Sequence, residues 1–406
     1  MPKYLIQIVP SEGPRLATAF QQGGVPVLNG RPIFDYLAVN LPEALVPQVR
    51  GIAGVLKVVP DKPMGIFQPL PVNLELASVR PRLAFPPLLF QGLAATLPRS
   101  EKVWPTGESR KTIGADVAEA EGVTGRGVKV CVTDTGIDTT HPQVLGLRGE
   151  STLAGAPLFL DENGHGTHVA TTIAGSTFRH PFGTLKGVAP GATLIIIKVL
   201  GYLIGAGSNS SVLAGMERAA QLGADVLSMS LGGEDTSDPE DPQFRVVRQL
   251  TQRGMILSIA AGNSGPQANT IGSPGSAPDA LTVGAINRVG QLADFSSRGP
   301  TKLGLSKPDC VAPGVDILSG TAGLIGVYRF VDGFGRFAAI SGTSMACPNV
   351  SGVVALALEY ARKRGKTLTT SQIKEALRHH HNRAPDNQVG YGLITYPILK
   401  KYIDQS

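Results

Sequence analysis

From about residue 109 onward, the sequence alternates between short apolar runs and longer segments with a helical pattern. The apolar runs predict buried strands over 127–134, 192–200, 224–232, 255–262 and 280–286. The helical patterns lie over 165–175, 210–223, 242–254 and 345–365. This alternation predicts an α/β fold, a mainly parallel sheet with helices on both faces. Functional sites in such sheets lie at the carboxyl ends of the strands.

The first hundred residues have a different pattern. Strand patterns over 3–9, 33–41 and 55–59 surround a short amphipathic pattern over 42–55, which predicts a small α+β domain at 1–62. A unit of this size buries little apolar surface alone, so we expect it to lie against a partner surface. Seven prolines between 63 and 98 interrupt any helical or strand period. We therefore predict a Pro-rich linker at 63–108 and the main domain at 109–406.

Composition and charge exclude several classes of protein. The chain is 42% hydrophobic and 17% charged, which is typical of a folded domain with a sizeable core. Its net charge of +6 is scattered rather than clustered, so no nucleic-acid partner is expected. The most apolar run, 192–207, contains Lys198 and is too short to cross a membrane. The first residues lack a secretion signal, so the chain as written is expected in the cytoplasm, with secretion open if a leader was removed.

Three polar residues lie where predicted strands end or predicted helices begin. Asp134 ends the strand in "VCVTDTGID", His165 begins the helix in "NGHGTHVA", and Ser344 begins the longest apolar helix in "SGTSMACPNVSG". A serine hydroxyl is a weak nucleophile until an imidazole accepts its proton, and a carboxylate fixes the tautomer of that imidazole. The helix start at Ser344 adds backbone N–H groups where an oxyanion would form. Pro348 is expected in the first turn of this helix, where it removes no hydrogen bond.

A fourth segment, "AAGNSGP", places Asn263 on a glycine-flanked turn after a strand. Its side-chain amide can donate to a developing oxyanion. The order aspartate, histidine, serine, together with "DTGID", "GHGTH", "AAGNSG" and "GTSMACP", resembles that of subtilisin-like serine proteases, the subtilases. The resemblance covers about 109–395, and no GxSxG motif of the α/β-hydrolase type occurs in the chain.

The resemblance implies a subtilisin-like fold preceded by a ferredoxin-like propeptide domain. It implies a serine endopeptidase made as a zymogen, in which Asp134 orients His165, His165 moves the proton of Ser344, and Asn263 binds the oxyanion. The implied partners are polypeptide substrates and the N-terminal domain itself, acting as an intramolecular inhibitor. Self-processing would then remove that domain by a cut somewhere in 61–112.

The resemblance also implies where a substrate would bind. "GAGS" resembles a strand that holds substrate backbone, and "SMSLGG" and "AAG" resemble the two walls of the pocket for the residue before the scissile bond. The implied substrate-binding residues are Gly205, Gly207, Ser230, Leu231, Gly232, Ala261 and Gly262. Since these segments carry no acidic residue, we expect an apolar residue before the scissile bond.

The sequence departs from the family pattern where calcium is often bound. Gln143 follows "DTTHP", where the family often has a carboxylate, and the loop 175–190 lacks the usual asparagine-rich composition. We therefore expect no metal ligands and no required cofactor, and calcium remains possible without support from the usual loop.

Several polar or thiol-bearing residues have both a functional and a structural interpretation. His168 could form an HxxH metal pair with His165, but the zinc motif HExxH needs other spacing, so we favour a packed, hydrogen-bonded His168. For 379–382 ("HHHN") we favour a helix C-terminus over a metal site, and for 234–242 an acidic solvated loop over a calcium site. For Cys131 and Cys347 we favour small buried side chains over redox roles. The three cysteines form no CxxC pair.

The sequence therefore leaves two hypotheses. The first is an active serine endopeptidase that processes itself. The second is a subtilase fold that is catalytically silent or permanently self-inhibited and serves as a binding scaffold. The first hypothesis is favoured because the chain retains all the residues that the implied mechanism needs: Asp134, His165, Ser344 and Asn263.

Overall fold

The N-terminal part forms a small α+β unit. A computed structural model describes residues 3–67, 103–153, 158–201, 204–322, 329–330 and 336–406. Its first elements are β1 (Lys3–Ile8), α1 (Gly13–Gln22), β2 (Tyr36–Asn40), α2 (Val46–Arg50), β3 (Val55–Pro60) and β4 (Pro63–Ile66). The first three strands form an antiparallel sheet in the order β2-β1-β3. An isolated bridge between Val27 and Val39 lies at its edge, where a ferredoxin-like sheet would have a fourth strand.

The rest of the described chain alternates strands and helices. It begins with β5 (Trp104–Pro105), α3 (Thr106–Thr112), α4 (Ala115–Ala120), β6 (Lys129–Asp134), β7 (Gly149–Ser151), α5 (His165–Ala174), β8 (Phe178–His180), β9 (Gly183–Leu185), β10 (Thr193–Lys198), β11 (Ala206–Ser208) and α6 (Asn209–Gln221). It continues with β12 (Val226–Met229), β13 (Leu231–Gly232), α7 (Pro242–Gln252), β14 (Ile256–Ala260), β15 (Leu281–Ile286), β16 (Cys310–Pro313), β17 (Ile317–Gly320), β18 (Arg329–Phe330), β19 (Phe337–Ile340), α8 (Thr343–Arg362), α9 (Thr370–His381) and α10 (Tyr396–Gln405).

A seven-stranded sheet forms the centre of this part. Its order is β16-β15-β14-β12-β6-β10-β7, and every pair of neighbours runs parallel. Alternate residues of β6 enter different clusters: Val130 and Val132 pack with α5 and α8, whereas Cys131 packs with α6 and α7. The sheet therefore has helices on both faces, as the sequence predicted. Strands β10 and β12 flank β6 on opposite sides, which opens a crevice at the carboxyl end of β6.

Helix α8 is the centre of the core on one face of the sheet. All of its residues from Thr343 to Ala361 are buried, and it packs against α5, α10 and the four strands β12, β14, β15 and β16. Among the residues that the structure describes, no helix has the length and apolar character needed to cross a membrane.

The N-terminal unit lies against α6 and α7, as its small size predicted. Leu5, Tyr36 and Ala38 share one hydrophobic cluster with residues of those helices. The backbone N–H of Phe34 donates to Glu217 at 3.0 Å. Polar contacts also link the two parts, among them Arg31–Glu217, Asp35–Arg245 and Lys57–Asp238. The unit thus buries apolar surface that it could not bury alone.

The structure differs from the sequence analysis in three local features. Helix α1 was not predicted: its buried residues Leu16, Ala17 and Phe20 make only a short apolar stripe. The predicted linker begins at residue 63, but residues 63–66 form β4, because strands of the main domain pair with them. Helix α3 spans the predicted boundary at 108/109. Most of the predicted linker, 68–102, lies outside the described residues.

Candidate active site

Asp134 is the last residue of β6 and is fully buried. One of its carboxylate oxygens, Oδ1, accepts the backbone N–H of Thr135 at 2.7 Å. The same oxygen lies 2.8 Å from Nδ1 of His165. A buried carboxylate in this position holds a proton on Nδ1, which leaves Nε2 of the ring as the basic nitrogen.

His165 is the first residue of α5, and the turn before it requires glycine. Gly164 has φ of +99°, and a Cβ there would lie 1.9 Å from the carbonyl oxygen of Ala322. The backbone can therefore approach closely and present the imidazole at the mouth of the crevice. Nε2 of His165 is buried and has no hydrogen-bond partner among the described residues.

Ser344 is the second residue of α8, and Ser230 makes two hydrogen bonds to it. The Ser344 hydroxyl donates to the carbonyl of Ser230 at 3.2 Å, and the Ser230 hydroxyl donates to the carbonyl of Ser344 at 2.9 Å. The second bond has a clear cause. Pro348 lies four residues after Ser344, in the second turn of α8 rather than the first, and it has no N–H to donate to that carbonyl. The predicted position of Pro348 was wrong, and Ser230 compensates for the missing hydrogen bond.

Asn263 follows β14 and contacts the residue before Ser344. Its Oδ1 accepts from the backbone N–H of Thr343 at 2.9 Å and from the Thr343 hydroxyl at 3.0 Å. A Cβ on Gly342 would lie 3.1 Å from Nδ2 of Asn263, so the amide group lies beside the start of α8. The structure thus joins Asp134 to His165, and Asn263 to the first turn of the helix that carries Ser344.

The cleft contains a segment of the chain itself. Strand β4 lies between β11 and β13 and is antiparallel to both. In this register Met64 pairs with Gly207, Gly65 with Gly232, and Ile66 with Leu231. The N–H of Ile66 also donates to the carbonyl of Gly205 at 3.1 Å. Four of the predicted substrate-binding residues therefore contact the main chain of an extended peptide, which is binding by strand addition.

The ring of Phe67 lies in a pocket made of glycines. A Cβ added to Gly232 would meet this ring at 2.3 Å, one on Gly272 at 3.1 Å, and one on Gly262 at 3.4 Å. Ala261 connects two of these walls, because its carbonyl accepts the N–H of Gly272 at 2.9 Å. Small residues on all three sides leave room for a large apolar side chain. Gly272 was absent from the sequence analysis, since it belongs to a turn with no motif of its own.

Asp161 is a second residue that the sequence analysis missed. Its Oδ1 accepts from the Thr135 hydroxyl and from the backbone N–H groups of Asn163 and Gly164, at 2.8, 3.1 and 2.7 Å. Its Oδ2 accepts from the N–H and the hydroxyl of Thr167, at 2.8 and 2.7 Å. One carboxylate thus ties the loop after β6 to the first turn of α5. Its place just before a predicted helix start was the only available signal.

The other histidines and the cysteines have structural environments. Nε2 of His168 donates to the carbonyl of Ile317 at 3.0 Å, so the prediction of a packed, hydrogen-bonded side chain is confirmed. Burial lowers the pKa of His168 to about 3. Cys347 is buried, its thiol donates to the carbonyl of Ser258 at 3.2 Å, and burial raises its pKa. Cys131 is also a buried free thiol with a raised pKa. The run 379–382 ends a helix, with Asn382 in the left-handed conformation.

The segments considered for calcium make hydrogen bonds and ion pairs within the protein. The Gln143 amide donates from Nε2 to the carbonyl of Ser176 at 2.8 Å. In the acidic loop, Asp238 pairs with Lys57, and Asp241 caps α7 by accepting from the N–H of Gln243. Within the described part of the chain, no three His, Cys, Asp or Glu side chains come together as metal ligands would.

The chain is similar in sequence to known proteases over most of its length. A sequence model described as the subtilase family matches residues 125–392. Serine protease AprX of Bacillus subtilis (strain 168) is 36% identical over 309 residues, which is 68% of this chain and 67% of AprX. Subtilisin Savinase of Lederbergia lenta is 38% identical over 291 residues, covering 71% of this chain and 96% of Savinase. M-protease of Shouchella clausii (strain KSM-K16) is 39% identical over 291 residues, covering 71% and 68%. The chain belongs to the subtilase family and is a subtilisin-like serine endopeptidase.

Proposed function

We propose that this endopeptidase uses Asp134, His165 and Ser344 as its catalytic triad and Asn263 as an oxyanion donor. One observation carries the proposal: a peptide segment lies in the cleft in the manner of a substrate. Strand β4 pairs on both sides with β11 and β13, and the ring of Phe67 occupies the glycine pocket at its end. The buried contact of 2.8 Å between His165 and Asp134 supplies the acid–base pair.

The proposed reaction proceeds through an acyl-enzyme. The Ser344 hydroxyl leaves the carbonyl of Ser230 and attacks the peptide carbonyl, while Nε2 of His165 takes the proton. The Asp134 carboxylate stabilises the imidazolium, and the Asn263 amide with the Ser344 N–H stabilises the oxyanion. His165 then protonates the departing amine. Water attacks the acyl ester by the same route, its proton goes to His165, and the Ser344 hydroxyl is restored.

We further propose that the first bond cleaved is the one after Phe67. Since Ile66 pairs with Leu231, continuing the antiparallel register by one residue places Phe67 opposite Ser230. The carbonyl of Ser230 is the acceptor of the Ser344 hydroxyl, so this register brings Phe67 next to the nucleophile. The N-terminal unit would then be an intramolecular inhibitor, and substrates would carry an apolar or aromatic residue before the scissile bond.

The alternative, a permanently self-inhibited scaffold, is favoured by two observations. The cleft is filled by β4, and the Ser344 hydroxyl donates to Ser230 and not to His165. Catalytic hydrogen bonds are often long or misaligned before the reacting complex forms, so the second observation does not exclude activity. We also propose that the enzyme requires no metal cofactor, because the proposed triad and the Asn263 amide supply the nucleophile, the base and the oxyanion donor without one.

The test follows intact mass over time for the wild-type chain and for Ser344→Ala, each with and without EDTA. We expect the wild type alone to lose residues 1–67 and to gain an N-terminus at Gln68, at the same rate with the chelator. If both chains stay whole, the scaffold hypothesis replaces the active one. A cut elsewhere would overturn the assignment of Phe67, and a rate that falls with EDTA would overturn the absence of a metal requirement.

A further inference from the structure

Met64 extends from β4 into a pocket whose wall is polar. Its side chain is buried between the starts of α6 and α7, with 5% of its surface exposed. A Cβ on Gly233 would lie 2.9 Å from its sulfur, so backbone closes one side. On another side lies the amide of Gln243, whose Nε2 is 3.1 Å from Sδ of Met64. The largely apolar side chain of Met64 therefore contacts a hydrogen-bond donor, the amide of Gln243, in the protein interior.

The orientation of the Gln243 amide is fixed by its other two partners. Its Oε1 accepts from the hydroxyl of Ser273 at 2.8 Å, and its Nε2 donates to Oδ1 of Asn209 at 2.6 Å. All three side chains are at most 5% exposed, so water does not compete freely for them. The NH₂ group has two hydrogens, and the sulfur of Met64 is the acceptor for the second. Without an acceptor there, a buried N–H would lose its partner.

We propose that Gln243 is a specificity-determining residue that selects a hydrogen-bond acceptor, typically methionine, at the fourth residue before the scissile bond. The inference rests on the proposed function, which makes Phe67 the first residue before that bond and Met64 the fourth. A thioether is a weak acceptor on an otherwise apolar, flexible chain. It therefore fills the pocket as leucine or norleucine would and, unlike them, satisfies the amide.

A purely structural role for Gln243 is the competing explanation. Its backbone N–H donates to the Asp241 side chain that caps α7, and its side chain joins α6 to the segment around Ser273. In that case Gln243 would affect folding and would not discriminate between side chains of equal size. Norleucine separates the two explanations, because it replaces only the sulfur of methionine by a methylene group.

The first test measures kcat/KM of the self-processed enzyme on reporter peptides X-Gly-Ile-Phe, with X as methionine, norleucine or leucine. We expect the methionine peptide to be cleaved about fivefold faster than the norleucine peptide, the size of one hydrogen bond between neutral groups. In Gln243→Leu the ratio should fall to about one, whereas the matched control Gln252→Leu, at the exposed end of α7, should keep it. A wild-type ratio near one would overturn the inference. Cleavage of none of the peptides would instead refute the proposed function.

The second test does not depend on catalysis. In the full-length Ser344→Ala chain, Met64→Leu and Gln243→Leu are made singly and together, and the urea midpoint of unfolding is compared. If the two side chains interact, the urea midpoint of the double variant falls by less than the sum of the decreases in the two single variants. Strictly additive losses would overturn the contact on which the selectivity depends.

Discussion

Replacing Gly232 with alanine puts a methyl group against the ring of Phe67. The new Cβ would lie 2.3 Å from Cζ and 2.8 Å from Cε1 of that ring, whereas carbon atoms in contact normally lie about 3.5–4.0 Å apart. The backbone of β13 is paired with β4 and cannot yield by that distance alone. The ring must therefore withdraw by about an ångström or more, and the pocket that remains accepts a small side chain.

The magnitude follows from the burial that the ring loses. Full burial of a phenylalanine side chain contributes about 1.5–3 kcal/mol, and each 1.4 kcal/mol is about tenfold in rate or affinity. We expect Gly232→Ala to lower kcat/KM for a Met-Gly-Ile-Phe reporter peptide by about 10- to 100-fold. The kcat/KM for a Met-Gly-Ile-Ala peptide should stay the same, because the methyl group of its alanine is too short to reach the new Cβ.

The same change allows an internal control on self-cleavage. Gly232→Ala should slow the loss of residues 1–67, and Phe67→Ala in the same chain should restore it, although Phe67→Ala alone lowers the rate. An equal decrease in kcat/KM for the Met-Gly-Ile-Phe and Met-Gly-Ile-Ala peptides would show that Gly232→Ala distorts the cleft rather than filling the pocket. Unchanged cleavage of both would show that the ring of Phe67 does not mark the substrate pocket, and would refute the reasoning.

Two further predictions concern residues behind the cleft. Asp161→Asn should lower the thermal midpoint, and it should lower kcat by more than about tenfold at temperatures where the variant stays folded, because an amide cannot accept all five hydrogen bonds that the carboxylate accepts. An unchanged kcat of the folded variant would make Asp161 merely structural. His168 has a pKa lowered by burial to about 3, so between pH 6.5 and 3 only the unfolded chain takes up its proton, and stability falls as the pH falls. In urea titrations of the Ser344→Ala chain, His168→Gln should remove about 2 kcal/mol of the difference between pH 7 and 5; an unchanged difference would contradict this.

The fold was predictable because its main signals are local. Each buried strand of the central sheet has its own apolar run, and the alternation with helical patterns leaves few ways to arrange them. The end of β6 at Asp134 and the start of α5 at His165 follow from the same periodicity. Helix α1 escaped prediction because its buried stripe is short and is completed by contacts with β2 and with the 3₁₀ turn Pro10–Glu12 before it.

The parts of the site that escaped prediction depend on distant residues. Nothing in residues 63–66 marks a strand, because β4 exists only through β11 and β13, which lie more than 140 residues away. Gly272 reaches the pocket through its hydrogen bond to Ala261. The place of Pro348 was misjudged for a local reason: α8 begins at Thr343 and not at 345, and this earlier start puts the proline in the second turn.

In the proposed function, the segment in the cleft links inhibition to specificity. Its main-chain hydrogen bonds to β11 and β13 would form with almost any sequence, so they contribute affinity but no selectivity. Under the same proposal, selectivity comes from Phe67 in the glycine pocket and Met64 beside Gln243. If one cleft receives both the N-terminal unit and a free substrate, as proposed, a change in either pocket must alter the fit of both in the same direction. A variant that weakened the binding of the N-terminal unit without altering substrate preference would have to act through the contacts of that unit with α6 and α7.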